Sequence, residues 1–337
     1  MQVKISQAIP MLASFIRAKL VPMLVGSPGC GKSQIIYKIA QDYNLKVIDL
    51  RLAQCDPTDL AGFPTVNGKK ADYLPMAHFP IEGDEIPKGY SGWLLFLDEM
   101  TSAPPAIQAA AYKLILDRMV GSHHLHKNVA IVGAGNLETD NAIVQPMSTA
   151  LQSRLAHMEL VVDPQEWTNW AAENGIDHRI SDYIKFKPGQ LFTFSPDHTD
   201  KTYACPRTWE FANRVLQVTE DGAPERLPML AGTLSEGVAR EFITFMKIYA
   251  DLPKMSQIAL MPESIPVPRE PSILFALTGS LAQNATQDNF GQLMKFINRL
   301  PVEFQVVTMK ETIRRNKTMI KHPMVQKWIS DSATSLF

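Results

Sequence analysis

The stretch GSPGCGKS, residues 26–33, constrains this chain more than any other. It has the form G-x-x-x-x-G-K-S, with Gly26, Gly31, Lys32 and Ser33 at the defining places. Glycines let backbone N–H groups turn inward around phosphate oxygens, the lysine reaches the β and γ oxygens, and the hydroxyl after it holds Mg²⁺. Such a loop needs a buried strand before it and a helix after it, whose positive end adds to the site. The apolar run from Leu20 to Val25 supplies the strand, and the spacing predicts a helix from Lys32 to Tyr43. The expected nucleotide-binding residues are therefore Gly26, Ser27, Pro28, Gly29, Cys30, Gly31, Lys32, Ser33 and Gln34. Cys30 reads as a small loop filler, because nothing in the sequence argues for a reactive thiolate.

Four further apolar runs read as strands: KVIDL (46–50), GWLLFLDE (92–99), VAIVGAGN (129–136) and HMELVV (157–162). The second is continuous and ends in two carboxylates, the mark of a strand covered on both faces. TSAPPAIQ then predicts a helix with Ser102 as its hydroxyl cap and Ile107, Ala111, Leu114 and Ile115 on one face. Strands alternating with helices imply an α/β fold with a doubly wound, mostly parallel sheet. Ligands of such sheets bind beyond the carboxyl ends of the strands, where Asp98 and Glu99 project. Asp98 is expected to bind Mg²⁺ through water, and Glu99 to orient and deprotonate a water for attack on the γ-phosphate. A kinase does not need that glutamate, so hydrolysis is favoured over transfer. Asn136, at the end of a neighbouring run, can hold the attacking water or touch the γ-phosphate; turn-forming asparagines are also common after glycines.

After DPQEW (163–167) the apolar strands stop and helical spacing takes over. The expected division is an α/β nucleotide-binding domain over 1–162 and a helical region over 163–337, with loops at 188–204, 218–228 and 252–272. A net charge of −1 argues against a dedicated nucleic-acid or membrane-surface binder, and Lys69, Lys70 and Lys127 do not make a dense basic stripe. The basic run KETIRRNKTMIKHP (310–323) reads as a solvated helix face. Cys30, Cys55 and Cys205 are too few for a disulfide framework, which points to a reducing cytosol. No apolar run approaches the roughly 20 residues of a spanning helix, and Pro10 and Arg17 interrupt the first apolar stretch as a signal-peptide core. The expectation is a soluble, cytoplasmic protein.

LDEMTSAPPAIQAAAYKLILDRMVG (97–121), DPTDLAGF (56–63) and the order of phosphate loop, acidic pair, asparagine and arginines resemble AAA+ ATPases of the MoxR and dynein-related type, over residues 20–215. The resemblance implies an AAA+ core with a helical lid, ATP and Mg²⁺ as ligands, and a homo-oligomeric ring or spiral of six. It gives Asn136 the sensor-1 role, Arg154 in TALQSRLAHMEL the arginine finger that reaches a neighbouring subunit's ATP, and Arg207 in CPRTWEFAN the sensor-2 role. Arg118 is a weaker candidate for a second trans-acting contact. Two inserts, GFPTVNGKKADYLP (62–75) with an Asn67-Gly68 turn and RMVGSHHLHKN (118–128), read as hairpins that in this family project towards a client. His123, His124 and His126 on the second lack the supporting ligands of a metal site. The implied work is chaperone-like remodelling of a protein client, with a von Willebrand factor A domain protein as partner. The alternative is a ring motor on nucleic acid, or a GTP-using, nuclease-associated relative.

Overall fold

The computed structural model describes residues 1–140 and 145–332. Ten strands lie among them: β1 Gln2–Val3, β2 Val21–Val25, β3 Leu45–Arg51, β4 Phe63–Asn67, β5 Lys70–Leu74, β6 Gly92–Asp98, β7 Met119–Val120, β8 His123–His124, β9 Val129–Gly135 and β10 Leu155–Leu160. Six form one parallel sheet in the order β1-β10-β2-β9-β6-β3. Five helices accompany it: α1 Ile5–Arg17, α2 Lys32–Asp42, α3 Pro57–Ala61, α4 Pro105–Leu116 and α5 Thr149–Gln152.

The pattern of β6 shows why the sheet is covered on both sides. Trp93, Leu95 and Leu97 pack with Ile107, Ala111 and Leu114 of α4. Leu94 and Phe96, pointing the other way, pack with Leu12 of α1 and with Ile35, Ile36 and Ile39 of α2. Side chains alternate faces along a strand, so an unbroken apolar run is stable only between two helical layers. This is the doubly wound architecture expected, with β9 between the strand before the phosphate loop and the strand that ends in Asp98. No described helix is long and apolar enough to cross a membrane.

Three local expectations are corrected. Ser102 does not cap α4: residues Met100–Ser102 form a 3₁₀ turn, and the helix starts at Pro105 behind Pro104 without a side-chain cap. Proline at the first helical position brings no N–H of its own to satisfy and has its φ already set for the helix. The turn of the β4–β5 hairpin is Gly68-Lys69 and not Asn67-Gly68, since Asn67 pairs with Lys70 in the ladder. The span 252–272 is not all loop, because it contains a short helix, Met255–Leu260, buried through Ile258.

The chain divides into two compact units, Met1–Asp163 with Ser195–His198, and Pro164–Phe194 with Thr199 onward. The second unit has no strand among its described residues. Its helices are α6 Pro164–Glu173, α7 His178–Phe186, α8 Pro206–Val218, α9 Arg226–Leu234, α10 Glu236–Asp251, α11 Met255–Leu260, α12 Pro271–Asn284, α13 Phe290–Ile297, α14 Val302–Arg315 and α15 Pro323–Ser332. Tyr183, Trp209, Phe242 and Phe245 join α7, α8 and α10 through ring contacts of 5.3–5.7 Å. A second apolar cluster, with Leu277, Phe290, Phe296 and Met309, joins α12, α13 and α14.

The basic run at 310–323 is not a purely solvated face. Arg315 donates to Asp182 Oδ1 at 3.2 Å and Arg314 to Glu311, and both acids are buried. Lys185 Nζ lies 2.7 Å from Glu311 Oε2 and 3.2 Å from Asp182 Oδ1. Two buried carboxylates can stay ionised only if cations reach them, and α14 supplies two of the three.

Candidate active site

The phosphate loop joins β2 to α2, and its Gly26 N–H donates to Gly135 O of β9 at 3.3 Å. Gly29 and Gly31 take positive φ, which lets the loop curl over the start of α2. Lys32 is buried, and its ammonium donates to Gly26 O at 2.5 Å, Ser27 O at 3.2 Å and Asn136 Oδ1 at 3.0 Å. Lysine charge is brought inside only where oxygen acceptors surround it. Here those acceptors are the loop itself and the residue that ends β9. Pro28 and Cys30 complete the loop's turn, with Cys30 buried beside Gly26 in the apolar cluster that includes Leu160, while Gln34 is exposed on the first turn of α2.

Ser33 Oγ donates to Asp98 Oδ2 at 3.4 Å. Both are oxygen donors of the class Mg²⁺ takes, so the residues present suit such an ion completed by waters. Asp98 Oδ1 accepts from the Glu99 N–H at 2.8 Å. Glu99 itself takes φ 58° and ψ 30°, a left-handed conformation costing a residue with a Cβ about 1–3 kcal/mol. Glu99 thus sits at the tip of β6, at the start of the 3₁₀ turn Met100–Ser102.

Asn136 is fixed by a residue the sequence did not single out. Thr101 Oγ1 accepts from Asn136 N at 2.9 Å and donates to Asn136 O at 3.2 Å, and Thr101 is buried. A Cβ on Gly135 would stand 2.5 Å from that hydroxyl, so glycine there is what lets the 3₁₀ turn close on β9. The glycine pair of VGAGN was the available signal, since small residues in a strand mark close approach. Asp140 is a second addition: it is buried and accepts from Ser27 Oγ at 3.3 Å, which ties the segment after β9 to the phosphate loop.

The structure thus brings together Gly26, Ser27, Lys32, Ser33, Asp98, Glu99 and Asn136. Arg154 stands apart from them. It is exposed between α5 and β10, donates to Ala150 O at 2.6 Å, and lies 4.8 Å from the centre of the Tyr112 ring. Arg207 is exposed in the first turn of α8, in the second unit. Arg118 does not point out towards a neighbour as expected: it is half-buried and donates to Val129 O at the opposite, amino end of β9. His126 is likewise structural, its Nδ1 accepting from Asn128 N at 3.1 Å and its ring packing on Trp93.

The sequence profile of the AAA domain (dynein-related subfamily) matches residues 22–155. No curated protein matches the chain. Among solved structures, the NtrX protein of Brucella abortus with ADP is similar at 13% identity, over 96% of this chain and 67% of that one, with a TM-score of 0.34. The Holliday junction branch migration motor RuvB of Thermotoga maritima is similar at 15% identity, over 88% and 86%, with a TM-score of 0.39. These two likenesses are too distant to carry an argument about activity, so the assignment rests on the profile match and the geometry above. With the loop, the acidic strand end and the intervening asparagine in place, residues 22–155 form an AAA+ ATPase domain of the dynein-related subfamily.

Proposed function

We propose that this chain hydrolyses ATP at junctions between copies of itself, in a ring or spiral of six, and couples that cycle to remodelling a protein client. The observation that carries the reading is the linked set Lys32–Asn136 and Ser33–Asp98 with Glu99 at the tip, in the sheet crevice. In this reading the loop amides and Lys32 grip the triphosphate tail. Mg²⁺, held by Ser33 and through water by Asp98, supplies charge neutralisation on the phosphate oxygens. Glu99 takes the proton of the attacking water, and Asn136, locked by Thr101, orients that water or the γ-phosphate.

Arg154 acts as the finger lent to the next copy. Its exposure, and partners that are neutral oxygens of Ala150 and Ser153, fit a guanidinium meant for another molecule's phosphate. Arg207 takes the sensor-2 role. A cation in the first turn of a helix opposes the helix dipole, so its place in α8 is not explained by helix stability. The β4–β5 hairpin exposes Phe63, Val66 and Leu74 by 62%, 80% and 60%, an apolar surface suited to a protein client. A von Willebrand factor A domain partner and a cytoplasmic setting complete the reading.

Turnover measured across protein concentration tests it. Specific activity should rise as copies meet, and Arg154→Ala should lower turnover by roughly 10³-fold or more while nucleotide binding persists. Activity that is independent of concentration and indifferent to both Arg154→Ala and Glu99→Gln contradicts the proposal.

A further inference from the structure

At the amino ends of the sheet strands, away from the phosphate loop, lies a cavity of about 530 Å³. That is within the roughly 300–1,000 Å³ of small-molecule sites. Its walls are apolar, from Ile16 in the last turn of α1, Leu20 after it, Ile39 and Tyr43 at the end of α2, and Val129 and Ile131 of β9. Its charged lining is of one sign: Arg17, Lys19, Arg118 and Lys127, with no carboxylate among the lining residues. Arg17 has an ordinary task, since it closes α1 and donates to Ser14. Arg118 has none of that kind. Its guanidinium is partly desolvated, which draws its pKa below the usual arginine value, and the partner found for it is a neutral carbonyl, Val129 O. Lys19 and Lys127 are exposed at the rim.

We infer that this cavity is a second ligand site, for an amphipathic anion: one carboxylate or phosphate head on an apolar body. The walls take the body, and Arg118, Lys19 and Lys127 take the head. A neutral apolar ligand would leave the cations unmatched, and an inorganic anion would leave the walls wet. The site is separate from the nucleotide site, because α2 runs 11 residues, about 16 Å, from Lys32 at the loop to its end at the cavity.

Calorimetric titration of the full chain with decanoate, decyl phosphate and decanol tests the inference, each without and with saturating ADP and Mg²⁺. Saturable binding of one or both anions, with decanol at least about tenfold weaker and with the nucleotide leaving affinity unchanged, is expected; which anion binds tighter names the head group. Lys19→Gln/Lys127→Gln, both exposed, should weaken anion binding about tenfold without changing the melting temperature, and Arg118→Gln should do the same in a soluble variant. No saturable binding, equal affinity for decanol, displacement by ADP, or a Lys19→Gln/Lys127→Gln variant that binds like the parent overturns it.

Discussion

Thr101 is the residue on which the arrangement of the candidate site turns. Its hydroxyl is both acceptor and donor to the backbone of Asn136, and a valine of the same shape would leave a part-buried N–H without its partner, a cost of about 1–3 kcal/mol. Thr101→Val should therefore lower ATP turnover by about tenfold with nucleotide affinity near that of the parent; an unchanged turnover would show that Asn136 needs no such anchor. Gly279 is the corresponding residue in the helical unit. A Cβ there would stand 1.8 Å from Asp182 Oδ2, so Gly279→Ala must push α12 away from the buried ion network. A loss of about 1–3 kcal/mol in a denaturant melt is expected, and a neutral result would mean that Asp182 can move aside. At this scale the sequence was informative where a motif has fixed spacing, as for Lys32, Ser33, Asp98 and Glu99. Thr101 and Asp140 were not legible, because each acts through a partner brought near by folding, 35 and 113 residues away in the chain.

Whole elements were easier to read than their edges. The strands behind LLFL and VAIVGAG are where hydrophobic continuity places them, since burial on two faces leaves few alternatives, and KVIDL forms the half-buried edge strand beside them. The start of α4 was misread because the serine cap signal competes with proline at the first helical position, and the backbone followed the proline. Helix α14 was misread for a deeper reason. A basic run looks solvated in one dimension, and only the fold, which brings both α7 and α14 onto α12, shows that Arg315 answers Asp182. That network gives α7 a pH dependence. Burial holds the His178 imidazole below its ordinary value, with Arg315 and Arg179 adding to the depression and Asp182 and Asp177 opposing it. The folded state thus binds fewer protons than the unfolded one below about pH 6.5, so stability is lost as pH falls through that value. Asp177, half-buried but held by Arg179, and Glu311, buried but held by Lys185, are both drawn below their ordinary values and add a further loss in stronger acid. The melting temperature should fall from pH 7 towards pH 5, and His178→Gln should flatten that limb; a variant with the parent's slope would place the titration elsewhere.

At the scale of the molecule, fold class followed from the alternation of apolar strands and helices, and the AAA+ assignment of residues 22–155 agrees with the resemblance first read from the acidic motif and the helix after it. In the proposed reading the arginine that completes the site is Arg154, which is exposed, donates to Ala150 O and lies 4.8 Å from the centre of the Tyr112 ring. The central claim is that a neighbouring copy provides it. The most direct measurement mixes two variants, each inactive alone: Arg154→Ala, with an intact pocket and no finger, and Glu99→Gln, with a finger and a disabled pocket. The account predicts that the mixture regains ATP turnover, because some junctions then pair an intact pocket with an intact arginine. A mixture as inactive as its parts, or an Arg154→Ala protein that turns over like the parent, would contradict it.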